Sequence, residues 1–503
     1  MIILLNSEQS KKIDSFATNK IGIPSILLME NAAISASNFI MQNIKQNHKI
    51  LLLCGKGNNG GDGLAIARHL INHSYSNISI YIVGNSKDLS SDCSINFKIL
   101  QNMNINIGTI DSTEDIESIG SYYDVVIDSI LGVGLNGKLK EPISQLIAKI
   151  NQFNAKKFAI DVPTGLDSDL GKADINTFKA DFTLTMYSHK VGLYINHGRM
   201  YSGQIVTAYL GISERYLAGL STEYILEDKD IKELAPKRKN NSSKFDYGRI
   251  LIIAGSEKYS GAAALASNAC ISSGAGLVEL FSSYFHPTLL AEIIQHKAIA
   301  TKDGNISYSN LEYLRSIIEK YDVINIGPGL SDETETIELI KYIIYQYPHK
   351  KIIIDADGLK AIELGRKLHK NIVITPHIYE FINTFHLNKD EVIDNPHLFA
   401  KNIAREYNCV VLLKYYPTII TDGESSYYNI NGNNGMATAG MGDVLTGIIA
   451  YYLSQFEDNL LATSFGAYIH SVCGDLYIKK YNKVSLTASK LIKHLREIDF
   501  GNN

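Results

Sequence analysis

What this chain lacks narrows its class before any motif is read. Its five cysteines, Cys54, Cys93, Cys270, Cys409 and Cys473, are scattered with no CxxC pair, so neither a disulfide framework nor a zinc site is expected. They read as reduced, mostly buried small hydrophobes of a cytoplasmic protein. A formal charge of −4 gives no electrostatic case for binding nucleic acid or a membrane surface. No apolar run approaches the roughly 18 residues that span a bilayer. The short apolar run at the start has no basic segment before it, so no signal peptide is expected. Short-period repeats and low-complexity tracts are missing as well. What is there is a globular composition, 45% hydrophobic and 20% charged. At 503 residues the chain is too long for one ordinary core and suits two or three domains.

Short apolar runs alternate with helical patterns, the signature of βαβ units and parallel sheets. In the first half, strands are expected at 49–54, 78–83, 124–130, 157–161, 181–185 and 204–209. Two helices are expected within 7–45, and a third over 62–72, where Leu64, Ala67, Leu70 and Ile71 share a face. A polar, charged stretch at 237–244 resembles a linker or domain entrance. A second strand series follows at 249–254, 322–326, 351–355, 372–375, 410–414, 418–421 and 426–430. Two glycine-rich strand–loop–helix starts in one chain imply two α/β domains, placed at 1–215 and 241–503 with a linker at 216–240.

The first glycine loop, residues 54–63, holds Asn58, Asn59, Gly60, Gly61 and Asp62 between a strand and a helix. Glycines there let backbone approach a pyrophosphate, and the Asn and Asp side chains are more than a tight turn needs. Two further segments fall at strand ends, where open α/β sheets place their ligands: 128–138 and 160–167. Oxygens of Asn59, Asp128 and Thr164 could converge as hard ligands for a cation, although Thr164 and Asp167 equally suit a cap or turn after Pro163. Asp161 ends a buried apolar strand and therefore needs a partner or a role.

The most informative stretch is 434–447, where small residues run through Gly440, Met441 and Gly442 into Asp443 and then an apolar helical segment. Such a loop presents backbone N–H groups to an anion at a helix N-terminus, with Asp443 beside it as an acid/base group. That layout moves a phosphoryl group onto a hydroxyl. Other strand ends carry Gly329 in a rigid Gly-Pro-Gly turn, His377 after Pro376, and the cation Lys414, suited to nucleotide phosphates. The Ala-rich stretch that includes Ala262 reads equally well as close helix–sheet packing.

In order, N-N-G-G-D-G, D-x-x-x-G-x-G and D-V-P-T-G-L-D over about residues 5–215 resemble the epimerase domain of the bifunctional NAD(P)H-hydrate repair enzymes. The resemblance implies that Asn58, Asn59, Gly60, Gly61 and Asp62, then Gly132, Val133, Gly134, Leu135, Asn136, Gly137 and Lys138, and Asp161 contact a hydrated nicotinamide nucleotide. It implies a potassium ion (K+) on Asn59, Asp128 and Thr164. Asp161 is the candidate general acid/base for inversion at C6. Residues 225–500 look like the ribokinase-like domain of NAD(P)H-hydrate dehydratase, differing from its pattern at Ala439, Met441 and Tyr415. There the resemblance implies substrate contacts from Ala262, Gly329, His377 and Asp443. It also implies ADP or AMP contacts from Lys414, Tyr415, Tyr416, Pro417, Thr418 and Gly442, with Mg2+ on the ADP.

The expected fold is α/β: an N-terminal Rossmann-like α/β/α sandwich and a C-terminal ribokinase-like α/β/α domain. The expected activity is epimerisation of R and S NADHX and NADPHX, and ADP-dependent dehydration of the S form to NAD(P)H. Asp161 and Asp443 are the expected catalytic groups, in a cytoplasmic homo-oligomer. The alternative is a ribokinase-like small-molecule kinase fused to a non-catalytic nucleotide-binding domain.

Overall fold

The computed structural model describes residues 1–120, 122–135 and 137–501, so Asn136 lies outside the described residues. The chain divides into two compact units, Ile2–Glu223 and Tyr224–Asn503. In the first, the apolar runs become strands β1 (Ile50–Cys54), β2 (Ile78–Val83), β3 (Ile107–Ile110), β4 (Val125–Ser129), β5 (Lys156–Ile160), β6 (Phe182–Met186) and β7 (Gln204–Ala208). They form one sheet in the order β3-β2-β1-β4-β5-β6-β7, every neighbouring pair parallel. Because side chains alternate across a strand, Ile50, Leu52 and Cys54 face one layer and Leu51 and Leu53 the other. On the first face lie helices α2 (Ser25–Asn43), α3 (Asn58–Asn72) and α4 (Ser91–Asn102); on the second lies α5 (Ile143–Asn151). Helix α1 (Ser7–Phe16) precedes them. The chain winds outward from β1 to β3 and then returns to lay β4 beside β1. That reversal is the topological switch point where open α/β sheets bind ligands.

The division between the units falls inside the segment 216–240 expected to be a linker: residues up to Glu223 fold with the first unit and those from Tyr224 with the second. Helix α6 (Asp228–Leu234) forms there, and Leu226, Ile231 and Ala235 join the apolar core of the second unit. The second sheet runs β16-β15-β14-β13-β12-β11-β8-β9-β10, from strands β8 (Arg249–Ile253), β9 (Leu277–Ser282), β10 (Ile294–Lys297), β11 (Val323–Ile326), β12 (Lys351–Ile354), β13 (Ile372–Ile374), β14 (Val410–Leu413), β15 (Thr418–Thr421) and β16 (Ser426–Asn429). Only β15 runs antiparallel to its neighbours among these. The switch point here lies between β8 and β11.

One face of this sheet packs on α7 (Ser260–Ser273), α11 (Met441–Gln455) and α12 (Asn459–Lys480). On α8 (Thr334–Gln346), Leu339, Ile340, Ile343 and Ile344 are buried. The short α9 (Ile378–Thr384) and α10 (Pro396–Tyr407) complete the elements used below. The alanines of α7 serve a helix–helix contact: a Cβ on Gly447 of α11 would stand 2.1 Å from the Ala266 carbonyl oxygen and 3.0 Å from the Ala269 Cβ. Among the described residues no helix is long and apolar enough to cross a membrane. All five cysteines are buried and free.

Gly447 thus fixes how closely α11, with Asp443 in its first turn, approaches α7. Gly447→Val is expected to cost about 1–3 kcal/mol, the usual penalty for overpacking, read by denaturant unfolding. Full stability in that variant would mean the helices separate freely.

Candidate active sites

In the first unit the loops after β1 and β4 border a cavity of about 740 Å³ at the switch point. Asn58, Asn59, Asp62, Gly132, Val133, Gly134 and Asp161 all line it. Gly60 and Gly61 do not; a Cβ on Gly60 would meet the Gly55 carbonyl oxygen at 1.9 Å, and one on Gly61 the Met29 side chain at 2.7 Å. These two glycines let backbone and helix pack behind the pocket. Leu135, Gly137 and Lys138 lie in the chain beyond its lining.

Helix α3 opens at Asn58, with Gly57 extended before it, so its N-terminal N–H groups and partial positive charge face the cavity. The Asn58 side-chain oxygen accepts from the Ser90 hydroxyl at 2.9 Å. Asn59 differs: both side-chain polar atoms are buried and neither has a hydrogen-bond partner. Asp128, fully buried at the end of β4, accepts the Thr164 backbone N–H and the Thr164 hydroxyl, each at 2.8 Å. Burial outweighs those bonds and pushes its carboxyl up to about 6. Asp167 accepts the N–H groups of Asp169 and Leu170, a turn role.

Asp161 follows β5 with φ of 68°, a left-handed conformation uncommon for a non-glycine residue. Its Oδ1 takes the Lys190 ammonium at 2.7 Å, and its Oδ2 the Val133 N–H at 3.2 Å. A Cβ on Gly132 would sit 2.7 Å from that same Oδ2, so glycine leaves the carboxylate room toward the cavity. Lys190, Tyr187 and Asp14 also line the cavity, the tyrosine hydroxyl donating to Asp14 at 2.6 Å. Desolvation, and then the charges of Asp161, Asp14 and Asp92, hold the Asp62 carboxyl well above the ordinary range.

In the second unit the carboxyl ends of β8, β11, β12, β13 and β14 bring the predicted residues to one edge. Gly329, at φ of +66°, abuts Ala262, since a Cβ on it would stand 3.1 Å from the Ala262 Cβ and 2.5 Å from the Tyr259 carbonyl oxygen. Asp355, which follows β12 and is buried, accepts the Lys414 ammonium and the Thr375 hydroxyl at 2.8 Å each. Glu380 Oε2 lies 3.8 Å from the same ammonium. Burial pulls Lys414 down, but the carboxylates of Asp355, Glu380 and Asp443 together leave it raised. Gly442 lies over it: a Cβ there would be 3.3 Å from Lys414 Nζ.

Helix α11 starts at Met441, after Gly440 at φ of 88°, and Val444 is the first residue to donate back to Gly440. The N–H groups of Met441, Gly442 and Asp443 therefore have no intrahelical acceptor, the arrangement that binds anions. Met441 buries its side chain in the core beneath the helix, and Ala439 is exposed, so these two departures from the family pattern leave the loop open. Burial, the Asp355 charge and the Glu380 charge raise the Asp443 carboxyl to about 6, against the lowering pull of Lys414.

His377 caps α9: its Nδ1 accepts the N–H groups of Tyr379 and Glu380 at 3.2 Å, leaving Nε2 3.4 Å from Glu380 Oε1. Beyond Lys414, Tyr416 is exposed, Pro417 is buried, and the Thr418 hydroxyl donates to the Tyr415 carbonyl oxygen at 3.2 Å. Glu380 also lines a cavity of about 560 Å³ with Asp357, Lys360, Asn383 and Thr384.

Two family models cover the chain in succession: the YjeF-related protein N-terminus at residues 25–192 and NAD(P)H-hydrate dehydratase at residues 250–497. A bifunctional NAD(P)H-hydrate repair enzyme Nnr from Moorella thermoacetica is 32% identical over 511 residues, spanning 98% of this chain and 96% of that protein. The chain belongs to the bifunctional NAD(P)H-hydrate repair enzymes. A second member, from Dictyoglomus turgidum, is 31% identical over 98% of this chain and 97% of its own length. Among solved structures, an ADP/ATP-dependent NAD(P)H-hydrate dehydratase from Bacillus subtilis, co-crystallized with ATP/Mg2+, is 25% identical at a TM-score of 0.46. It matches 55% of this chain and 96% of its own.

Sequence reasoning missed Lys190, Tyr187 and Asp14 in the repair family's epimerase half, and Asp355 in its dehydratase half. Asp355 carried the signal that singled out Asp161, an aspartate ending a run of buried isoleucines. Lys190 carried none. In titration by carboxyl carbon NMR, Asp443 is expected to have its midpoint near pH 6, and Lys414→Met, which removes a nearby cation, to move it higher. An unmoved midpoint would show that Lys414 does not act on Asp443.

Proposed function

We propose that the first unit interconverts the R and S forms of hydrated NADH and NADPH, and that the second restores the S form to NAD(P)H with ADP as phosphoryl donor. The reading rests above all on two sites in one chain: a carboxylate held in a cavity of about 740 Å³, and an aspartate beside a helix N-terminus with free N–H groups. A kinase fused to an inert module would not need Asp161, Asn59 and Asp62 gathered at that cavity.

In the first site, Asp161 handles the proton at the C6 oxygen. The departing hydroxyl takes up a proton and leaves as water while the ring-nitrogen lone pair forms the iminium. Water returns to the other face and gives up a proton, so the count closes. Asn59, Asp128 and Thr164 would hold a potassium ion. The support is the unpartnered buried amide of Asn59 and the buried carboxylate of Asp128, an oxygen set that suits a hard cation. Such an ion supplies a fixed positive charge beside the substrate. In the second site, Asp443 takes the proton of the C6 hydroxyl as the phosphoryl group transfers to it. The N–H groups of residues 441–443 and the Lys414 ammonium stabilise the charge in transit, with Mg2+ arriving on the nucleotide. Elimination of phosphate then restores the ring. Ala262, Gly329 and His377 border the substrate, and Lys414–Thr418 with Gly442 border the nucleotide.

The test is incubation with mixed R and S hydrates plus ADP or ATP, following the return of reduced-nicotinamide absorbance. Complete conversion with ADP supports both activities, whereas conversion of the S half alone means no epimerisation. Asp443→Asn is expected to lower dehydration by at least about 10²-fold while epimerisation survives. Replacing potassium with lithium is expected to slow epimerisation more than dehydration. ADP-dependent turnover retained in Asp443→Asn, or equal activity of both units in lithium, would overturn the corresponding assignment.

A further inference from the structure

The Lys190 side chain is 1% exposed, the most completely buried ammonium in a pair with a site carboxylate. Its Nζ lies 2.7 Å from Asp161 Oδ1, 3.0 Å from the Thr185 hydroxyl, and 2.8 Å and 3.4 Å from the carbonyl oxygens of Met186 and Ser188. An ammonium has three protons, so these acceptors saturate it. None is left over for a ligand in the cavity. Asp161 is constrained in turn. Oδ1 is taken by Lys190 and lies 3.5 Å from the Met186 N–H, whereas Oδ2 has only the Val133 N–H at 3.2 Å, beside the space that Gly132 leaves.

We propose that Lys190 is the positioning residue of the epimerase site: it commits Asp161 Oδ1 and holds the carboxyl group in place, so that Oδ2 alone meets the substrate. This rests on the reading of Asp161 as the group that handles the C6-oxygen proton. Three other carboxylates line the same cavity, Asp62 on α3, Asp14 on α1 and Asp92 on α4; Asp62 and Asp14 both feel the Asp161 charge, which Lys190 counters at Asp14. Lys11 and the Tyr187 hydroxyl also face that cavity. Without Lys190, four acids, Asp14, Asp62, Asp92 and Asp161, would line one cavity with no buried cation among them. The left-handed backbone at Asp161 gains from the same contact, because the ion pair ties its side chain to the residues that follow β6.

The experiment is the steady-state kinetics of enzyme-catalysed R/S interconversion in the full chain, for the native protein and for Lys190→Met, Lys190→Arg and Asp161→Asn. In Lys190→Met, kcat is expected to fall by about 10²-fold or more with KM changed far less. Lys190→Arg keeps a buried cation on Oδ1, so it restores most of that loss, its altered geometry lowering the rate only partly. Dehydration of the pure S hydrate stays native in every variant. If Lys190→Met does not fold, Thr185→Val, which removes one of the ammonium's acceptors and leaves its charge, is expected to lower kcat with KM changed far less. Native kcat in Lys190→Met, or in Thr185→Val where that variant stands in, would overturn the proposal. A native rate in Asp161→Asn would instead overturn the reading of Asp161 on which it rests.

Discussion

A carboxylate cannot end a buried parallel strand without a partner, and each unit meets that demand with a lysine from further along the chain. Asp161 follows β5 and pairs with Lys190 at 2.7 Å, and Asp355 follows β12 and pairs with Lys414 at 2.8 Å. Removing one member of such a pair leaves an uncompensated buried charge, which costs about 3–5 kcal/mol. The pairs therefore hold the strand ends in register with the loops that supply the other ligands. In the first unit the Asp161 carboxylate also takes the N–H of Val133, tying the loop after β4 to the end of β5. In the second, Asp355 takes the Thr375 hydroxyl, so the ends of β12, β13 and β14 are joined through one side chain.

The glycine-rich loops work around these pairs, and their glycines do different jobs. Gly55 and Gly60 are required by backbone contact, since added Cβ atoms would meet carbonyl oxygens at 2.0 Å and 1.9 Å. Gly57 and Gly134 have nothing within 4 Å of an added Cβ and simply border open space. A pattern of glycines in sequence cannot separate these cases, because it shows where a side chain is missing and not what occupies the gap. Asn58, Asn59 and Asp62 were separable for the opposite reason: polar side chains between glycines have no part in a tight turn, and all three line the cavity.

Most buried strands were legible because runs such as Ile50–Cys54 and Lys351–Ile354 are apolar on both faces, as parallel strands between two helical layers must be. Three of the strands described above were not. Ile294–Lys297 reads Ile-Gln-His-Lys and is largely exposed, Ile107–Ile110 contains a glycine and sits at the other sheet's margin, and Leu277–Ser282 is mostly buried but carries Glu279 in its middle. In each, a polar, charged or glycine residue interrupts the apolar run. Within the segment expected as a linker, the helix α6 was not legible because its apolar residues are few, although Leu226, Ile231 and Ala235 all reach the core. Asp161 and Asp443 stood out by position at the end of a strand and the start of a helix. Their cations differ in legibility: Lys414 ends a strand, whereas Lys190 lies in a loop whose burial only the fold reveals.

The two pairs are oriented oppositely, and that reversal matches the two chemistries proposed for the units. In the first unit the lysine is the hidden member, its side chain 1% exposed against 11% for Asp161, so the cavity meets a carboxylate. In the second the aspartate is hidden, 2% exposed against 23% for Lys414, so the helix N-terminus and its loop meet an ammonium. A reaction through a positively charged iminium is favoured by a fixed anion at the reacting ring, and a phosphoryl transfer by a fixed cation near the moving charge. Each buried partner leaves the group of opposite sign as the one turned toward the ligand. One arrangement at the carboxyl edge of a parallel sheet thus serves opposite electrostatic needs, according to which half of the pair is turned toward the ligand.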